Sequence, residues 1–210
     1  MATQEPPGAE RLDGIGARLR EEREQRRISQ RELARRIGLS ASLISQIETG
    51  QSKPSVGTLY AIVTELGMSL DRLFRPPDDQ SVPPGGEASG RGGGAGHAGP
   101  AVHPQERRRI DLESGVRWER LTREDAAGVD FLFVVYDVGG ASTAEDSLMR
   151  HPGHEYGYVL TGRLGVQLGF ETHVLDPGDS IAFDSTQPHR LWNMGDEPVQ
   201  GIWFVVGRDA

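Results

Sequence analysis

A stretch near the middle of this 210-residue chain cannot belong to any packed core. Pro76 to Gln105 holds 14 Gly or Pro residues in 30, including Pro83-Pro84-Gly85-Gly86 and Gly92-Gly93-Gly94, and almost no apolar side chain. Such a composition cannot bury enough apolar surface to offset the entropy lost on ordering. A single core through the whole chain is therefore excluded. The expected organisation is multidomain: a disordered tail over residues 1–10, a domain over 11–75, a flexible linker over 76–106 and a second domain over 107–210. A tether of this kind predicts that the two domains fold separately, without a rigid relay between them. Direct docking or the geometry of a dimer would then have to carry any signal. His97 and His103, in or beside the tether, are expected to face solvent.

The division also resolves the charge. The chain carries a formal net charge of −8, but Arg11 to Arg75 holds 12 basic against 8 acidic residues, net +4, and the remainder 11 against 23, net −12. Only the first domain has an electrostatic case for contact with phosphate. The chain has no cysteine, which excludes disulfides and thiolate metal sites. No run approaches 18 consecutive apolar residues, and the first ten residues lack the basic and apolar regions of a signal peptide, so a cytoplasmic protein is expected.

Within the first domain, SQRELARRIGLSASLISQIETG (Ser29 to Gly50) spells two short helices and a tight turn. Ser29 with Glu32 three residues on forms a capping box. Leu33, Ala34 and Ile37 make one apolar face, and Gly38 can take the left-handed conformation that ends a helix. Ser40 is a good N-cap for the second helix, in which Leu43, Ile44 and Ile47 face inward. Ala41, Ser42, Ser45 and Gln46 are left outside. Hydroxyls and an amide on an exposed face can bond base edges, and glutamine pairs well with adenine. An ordinary helical hairpin would share the same spacing. The flanks predict a preceding helix from about Asp13 to Arg26, a further one over Ser55–Leu66 and a short fifth over Ser69–Phe74, giving an all-α domain of five helices.

Residues 13–75 resemble the XRE-type (Cro/C1-type) helix-turn-helix domain. The resemblance rests on Gln30, Leu33-Ala34, Gly38, Ser40, Ile44-Ser45, Ile47-Glu48, Gly50, Lys53-Pro54-Ser55, Leu59 and Leu66-Gly67. It implies that Gln30 touches a phosphate, that Ala41, Ser42, Ser45 and Gln46 occupy base-reading positions beside the capping Ser40, and that Lys53 or the amides around it meets the DNA backbone.

From Arg107 the pattern changes to short β-runs: Val116–Leu121, Asp130–Val138, Glu155–Thr161, Leu164–Leu168, Thr172–Leu175, Ser180–Phe183, Arg190–Asn193 and Val199–Val206. Turns rich in Gly, Pro and Asp separate them, which predicts a small all-β barrel or jelly roll. In an extended chain His151 and Glu155 point to one face. With His189 they would form a two-His, one-carboxylate triad that suits Fe, Mn, Ni or Zn and leaves coordination positions open. The alternative is that the three residues line a pocket and hydrogen-bond a polar small molecule directly.

His151 to Gly162 and Gly178 to Asn193 resemble the two cupin motifs, with Glu155, Gly162, Gly178, His189 and Asn193 in register. The chain departs from that pattern at Met149, where the first cupin histidine would stand, and at Asp184 and Thr186, which replace a proline and a glycine. His154 is a substitute ligand only if Pro152-Gly153 makes a bulge. Met149, Tyr158, Phe183 and Trp192 are the candidate pocket residues.

Together the resemblances imply a non-enzymatic, sequence-specific transcriptional regulator. Its partners would be a double-stranded DNA operator, a small-molecule effector and a second copy of the chain held through the cupin domain. Two other readings stay open. One is a mononuclear metal-dependent cupin oxidase or epoxidase acting on a small substrate such as a hydroxyphosphonate, because an epoxidase of that kind joins similar domains and uses a two-His, one-Glu iron site. The barrel's negative charge disfavours such an anionic substrate. The other is a ligand-independent repressor whose cupin serves only to dimerise.

Overall fold

A computed structural model of the chain describes residues 10–11, 14–74, 99–123 and 128–207. The first domain contains α1 (Ile15–Gln25), α2 (Gln30–Ile37), α3 (Ala41–Glu48) and α4 (Val56–Glu65). Three of these helices open on a serine. The hydroxyl of Ser29 accepts from the Glu32 amide at 3.1 Å, that of Ser40 from Leu43 at 3.1 Å and that of Ser55 from Thr58 at 3.2 Å. Each bond satisfies one of the amides that a helix start leaves without a partner. The expected capping box at Ser29 is half made, because the Glu32 carboxylate turns outward to Arg35 and Arg36. Gly38 ends α2 at φ +71°, a left-handed cap that a side chain would strain.

Leu19, Leu33, Ile44, Ile47, Leu59 and Leu66 are fully buried at the centre of the helices, and Ala34 permits the close approach of α2 to α3. Leu43, expected inside, is only half-buried. The fifth helix is a 3-10 helix over Leu70–Phe74 and not an α-helix, so the helical domain has four α-helices and one tighter turn.

The second domain is all-β. Strands β1 (Glu10–Arg11), β2 (Arg108–Asp111), β3 (Val116–Arg120), β4 (Val129–Tyr136), β10 (Val199–Val206), β5 (His154–Thr161) and β8 (Ser180–Asp184) form one sheet in that spatial order. Strands β7 (Glu171–Leu175), β6 (Leu164–Leu168) and β9 (His189–Asn193) form a second. Eight of these strands match the expected runs to within one or two residues. The other two, β1 and β2, carry mostly charged residues whose apolar alternation is too short to read. Glu10, assigned to the tail, lies in β1, which pairs in parallel with Arg108–Arg109 of β2.

Asn193, expected as a motif residue, acts as a staple. Its amide donates to the carbonyls of Tyr136, Asp137 and Glu197 at 2.8–3.1 Å, and its oxygen accepts from the Gly195 amide at 2.8 Å. His103, expected in solvent, is half-buried, and its amide bonds Glu106 at 3.1 Å beside a 3-10 turn over Pro104–Glu106. Most of the tether, His97 included, lies outside the described residues.

Direct docking, one of the two routes expected between the domains, is present in the described residues. The helical domain packs directly on the β domain. The Gly57 amide in the first turn of α4 donates to the Ser142 carbonyl at 3.0 Å, and the Glu113 amide to the Pro54 carbonyl at 3.1 Å. Arg108 donates to the Phe74 carbonyl at 3.0 Å. Tyr60 of α4 is buried, with its ring edge-on to Trp118. The composition of a tether says how far two domains can separate; the surfaces they present decide whether they do.

Candidate functional sites

On the exposed side of the helical domain, Ser42 and Gln46 of α3 face solvent, and Ala41 and Ser45 are half-buried beside them. Ser40 and Lys53 are exposed. Gln30, the first residue of α2, is held from below: its amide donates to Glu48 Oε2 at 2.8 Å. Glu48 in turn takes a two-pronged contact from Arg23, with Nε to Oε1 at 2.6 Å and Nη2 to Oε2 at 2.8 Å. Arg23 and Glu48 are both buried, and a further Arg23 nitrogen donates to the Ile28 carbonyl at 2.8 Å. One charge pair thus ties α1, α2 and α3 together and fixes Gln30 at the mouth of a shallow groove lined by Arg20, Arg31 and Ser45. Sequence reasoning missed the Arg23–Glu48 pair. Spacing along α1 pairs Arg23 with near neighbours on the surface, whereas its true partner lies 25 residues away.

The second site lies inside the barrel. His151, Glu155 and His189 come together with their ligand atoms within 4.8 Å of one another. All three are buried, and both histidine side chains are 0% exposed. The route differs from an extended run. The chain bends at Pro152–Gly153, with Gly153 at φ +112°, and returns as β5 with Glu155 inward and His154 outward. His154 therefore does not replace the missing fourth ligand.

The proton inventory explains what this cluster can do. His151 Nδ1 faces the Pro152 carbonyl at 3.1 Å and His189 Nδ1 faces the Gln187 carbonyl at 2.8 Å. A carbonyl only accepts, so Nδ1 is the protonated nitrogen in each ring. In the neutral imidazoles both Nε2 atoms then present bare lone pairs. They stand 2.8 and 3.1 Å from the same oxygen, Glu155 Oε1. Among the described residues these three atoms, in that neutral state, have no hydrogen-bond partner. Three lone pairs meeting in a buried site call for a proton donor or a cation.

A second proton on the imidazoles is one such cation. Burial pushes the Glu155 carboxyl up, but with that proton in place the hydrogen bonds and charges of His151 and His189 outweigh it and hold it at about 2. A divalent metal is another: two ligands each about 2.1 Å from an ion and at right angles stand about 3 Å apart. The bonds from Nδ1 to carbonyl are the supports that metal-binding histidines use.

Glu155 has its own support. The Trp203 indole donates to Oε2 at 2.6 Å, leaving Oε1 to the histidines. Trp203 reaches across because Gly157, its register partner on β5, has no side chain. A Cβ there would stand 2.1 Å from the indole ring. Beside the cluster the buried Tyr136 phenol is pushed well above its ordinary range by burial and by the Glu155 charge, and so stays protonated.

The four expected pocket residues divide. Phe183 is buried, its ring edge-on to His189 at 5.1 Å. Met149 is buried and bonds His189 through the backbone. Tyr158 and Trp192 are corrections. Tyr158 is 44% exposed on the outer face of β5, and Trp192 lies on the outer face of β9 under the Arg190 guanidinium. Each stands three residues from an inward ligand, Glu155 or His189, and an odd separation in a strand reverses the face.

Comparison with known proteins agrees with this architecture. A helix-turn-helix family matches residues 19–73 and a cupin domain family matches residues 132–205. The chain is 28% identical to the HTH-type transcriptional regulator PuuR of Escherichia coli over 179 residues, 85% of this chain and 86% of that one. It is 23% identical to the HTH-type transcriptional regulator SutR of the same organism, over 88% and 90% of the two chains. The crystal structure of an HTH_3 family transcriptional regulator from Vibrio cholerae superposes with a TM-score of 0.63 at 23% identity, covering 92% of this chain and 94% of that one. In the described residues no helix is long and apolar enough to cross a membrane. The chain thus joins a region that matches a helix-turn-helix family to a region that matches a cupin domain family, and over most of its length it is similar to HTH-type transcriptional regulators.

Proposed function

We propose that the protein is a cytoplasmic, sequence-specific DNA-binding regulator that responds to a small molecule bound, with a divalent metal, in its cupin barrel. On this reading Ser42 and Gln46 of α3 read base edges, with Ala41 and Ser45 beside them. Gln30 and the amide-rich segment around Ser40 and Lys53 hold phosphates. The observation that carries the DNA assignment is the support of Gln30 from beneath by the buried Arg23–Glu48 pair, next to a reading helix whose exposed face is hydroxyl and amide. A side chain held in place loses less entropy when it meets its target. Two chains joined through their cupin domains would present two reading helices to a two-fold operator.

In the barrel, His151 Nε2, His189 Nε2 and Glu155 Oε1 would hold the ion. When bound, the ion would offer its remaining positions to oxygen or nitrogen donors of an effector. Support comes from the three unsatisfied lone pairs and their outer bonds to Pro152, Gln187 and Trp203. Iron, manganese, nickel and zinc all suit this donor set.

The test is operator binding. A DNA fragment selected from a random pool should bind the purified protein, and Gln46→Ala with Ser42→Ala should weaken that binding by ~1–3 kcal/mol for each base-edge hydrogen bond removed. Binding that the double variant leaves unchanged would remove α3 from the reading role. An enzymatic reading draws on the same triad. Metal- and oxidant-dependent turnover of a hydroxyphosphonate would establish it in place of sensing. A protein that binds operator equally with and without metal or small molecule would be a repressor whose cupin only dimerises.

A further inference from the structure

The helical domain does more than rest on the barrel. Tyr60 of α4 lies flat against the imidazole of His151, with ring centroids 3.9 Å apart and planes 9° from parallel. His151 is thus clamped from two domains: its Nδ1 is bonded to Pro152 in the barrel, and its face is covered by an aromatic ring from the DNA-binding domain. The same helix is linked through Ser142 to the strand that carries the second histidine. The Gly57 amide bonds the Ser142 carbonyl, and Ser142 Oγ accepts from the Leu191 amide on β9 at 3.0 Å, two residues from His189.

Gly57 is what lets α4 come so close. A Cβ there would stand 2.5 Å from the Thr143 methyl and 3.4 Å from Met149 Cβ. Met149, where the cupin pattern has its first histidine, therefore lies against α4, and the position of the absent ligand belongs to the domain interface.

We infer that the His151–Glu155–His189 site is a two-domain site, in which Tyr60 of the DNA-binding domain is a positioning residue for metal. This rests on the metal reading proposed above. Docking of α4 fixes the His151 ring with its Nε2 lone pair aimed at the other two ligands and keeps water from its face. By linkage, an ion that binds the docked arrangement more tightly must favour docking by the same factor. Metal occupancy then sets how firmly the reading helix is held relative to the barrel, while Ser42 and Gln46 stay exposed for DNA.

The experiment measures zinc affinity of the full-length protein by competition with a chelator of known affinity, for wild type and three variants. Tyr60→Phe keeps the ring and should bind as wild type does, within about twofold. Tyr60→Leu removes the ring and should weaken binding about 10-fold or more, the size expected when the support of a metal ligand is removed. Gly57→Val leaves Tyr60 intact but forces α4 off Thr143, and should weaken binding in the same direction.

A second measurement covers the case in which Tyr60→Leu does not fold. The chain has no cysteine, so Gln25→Cys with Phe170→Cys allows clean labelling of one exposed site in each domain. Zinc should narrow the inter-label distance distribution. Zinc binding to wild type together with unchanged affinity in Tyr60→Leu and Gly57→Val would overturn the two-domain site and leave the metal reading intact. So would a distance distribution indifferent to zinc. Failure of wild type to bind zinc, iron, manganese or nickel would overturn the metal reading and this inference with it.

Discussion

Two of the buried polar clusters among the described residues, one in each domain, differ in completeness. In the helical domain the Glu48 carboxylate receives two nitrogens from Arg23 and one from Gln30. In the barrel the Glu155 carboxylate has one oxygen satisfied by Trp203 and the other facing two lone pairs. Both are buried, where an unsatisfied polar atom is costly. The closed cluster holds helices in place. The open one needs a cation, which is a second proton on the imidazoles or, on the proposed reading, a metal ion. Burial and charge look alike at the two places; the count of protons against lone pairs tells them apart.

The strongest way to break the comparison is to open the closed cluster. Glu48→Ala leaves the Arg23 guanidinium buried without its partner and should destabilise the helical domain by about 3–5 kcal/mol. Urea unfolding followed by circular dichroism measures this, and a loss under about 1 kcal/mol would reduce the pair to an ordinary surface contact.

The next test closes the open cluster. A metal at 100 times its dissociation constant should stabilise the folded protein by about 2.7 kcal/mol. A chelator should reverse the gain, and His151→Ala with His189→Ala should abolish it. Thermal unfolding with and without the ion supplies the reading, and stabilisation that persists in the double variant would place the ion elsewhere.

Ser40→Ala removes the cap of α3 without touching either cluster. It should cost about 1 kcal/mol and weaken operator binding through fraying of the reading helix. A variant as stable as wild type would mean that the Leu43 amide finds another acceptor.

The smallest effect is expected at Tyr158. Tyr158→Ser changes an outward residue and should leave metal affinity within about twofold and stability within about 0.5 kcal/mol. A larger loss of affinity would return Tyr158 to the pocket.

Much of this was legible in the residues. The serine caps, the exposed face of α3 and eight of the ten described strands follow from spacing and period, because each depends on neighbours close in the chain; His189 joined His151 and Glu155 through the resemblance to the cupin motifs. The facing of Tyr158 and Trp192 was legible too: strand parity counted from Glu155 and His189 turns both outward. Other features depend on pairs far apart. Glu48 meets Arg23 across 25 residues, and Trp203 meets Glu155 across 48. Tyr60 meets His151 across the Gly/Pro tether, whose composition argued for independence. A helical period explains why Tyr60 is buried; it carries no information about which surface buries it. Gly57 and Gly157 gave no local signal, since each is shaped by a partner on another element.

Complete burial of the triad has a consequence in time. With His151 and His189 wholly shielded, no solute reaches the site by diffusion alone; a segment must first swing aside. Motions of that class take microseconds to seconds. The rate at which such a site fills or empties is then set by the rate of opening, and concentration governs only how full it becomes. On the proposed reading, such a site would average over fluctuations shorter than its opening time and report the sustained level of what it binds.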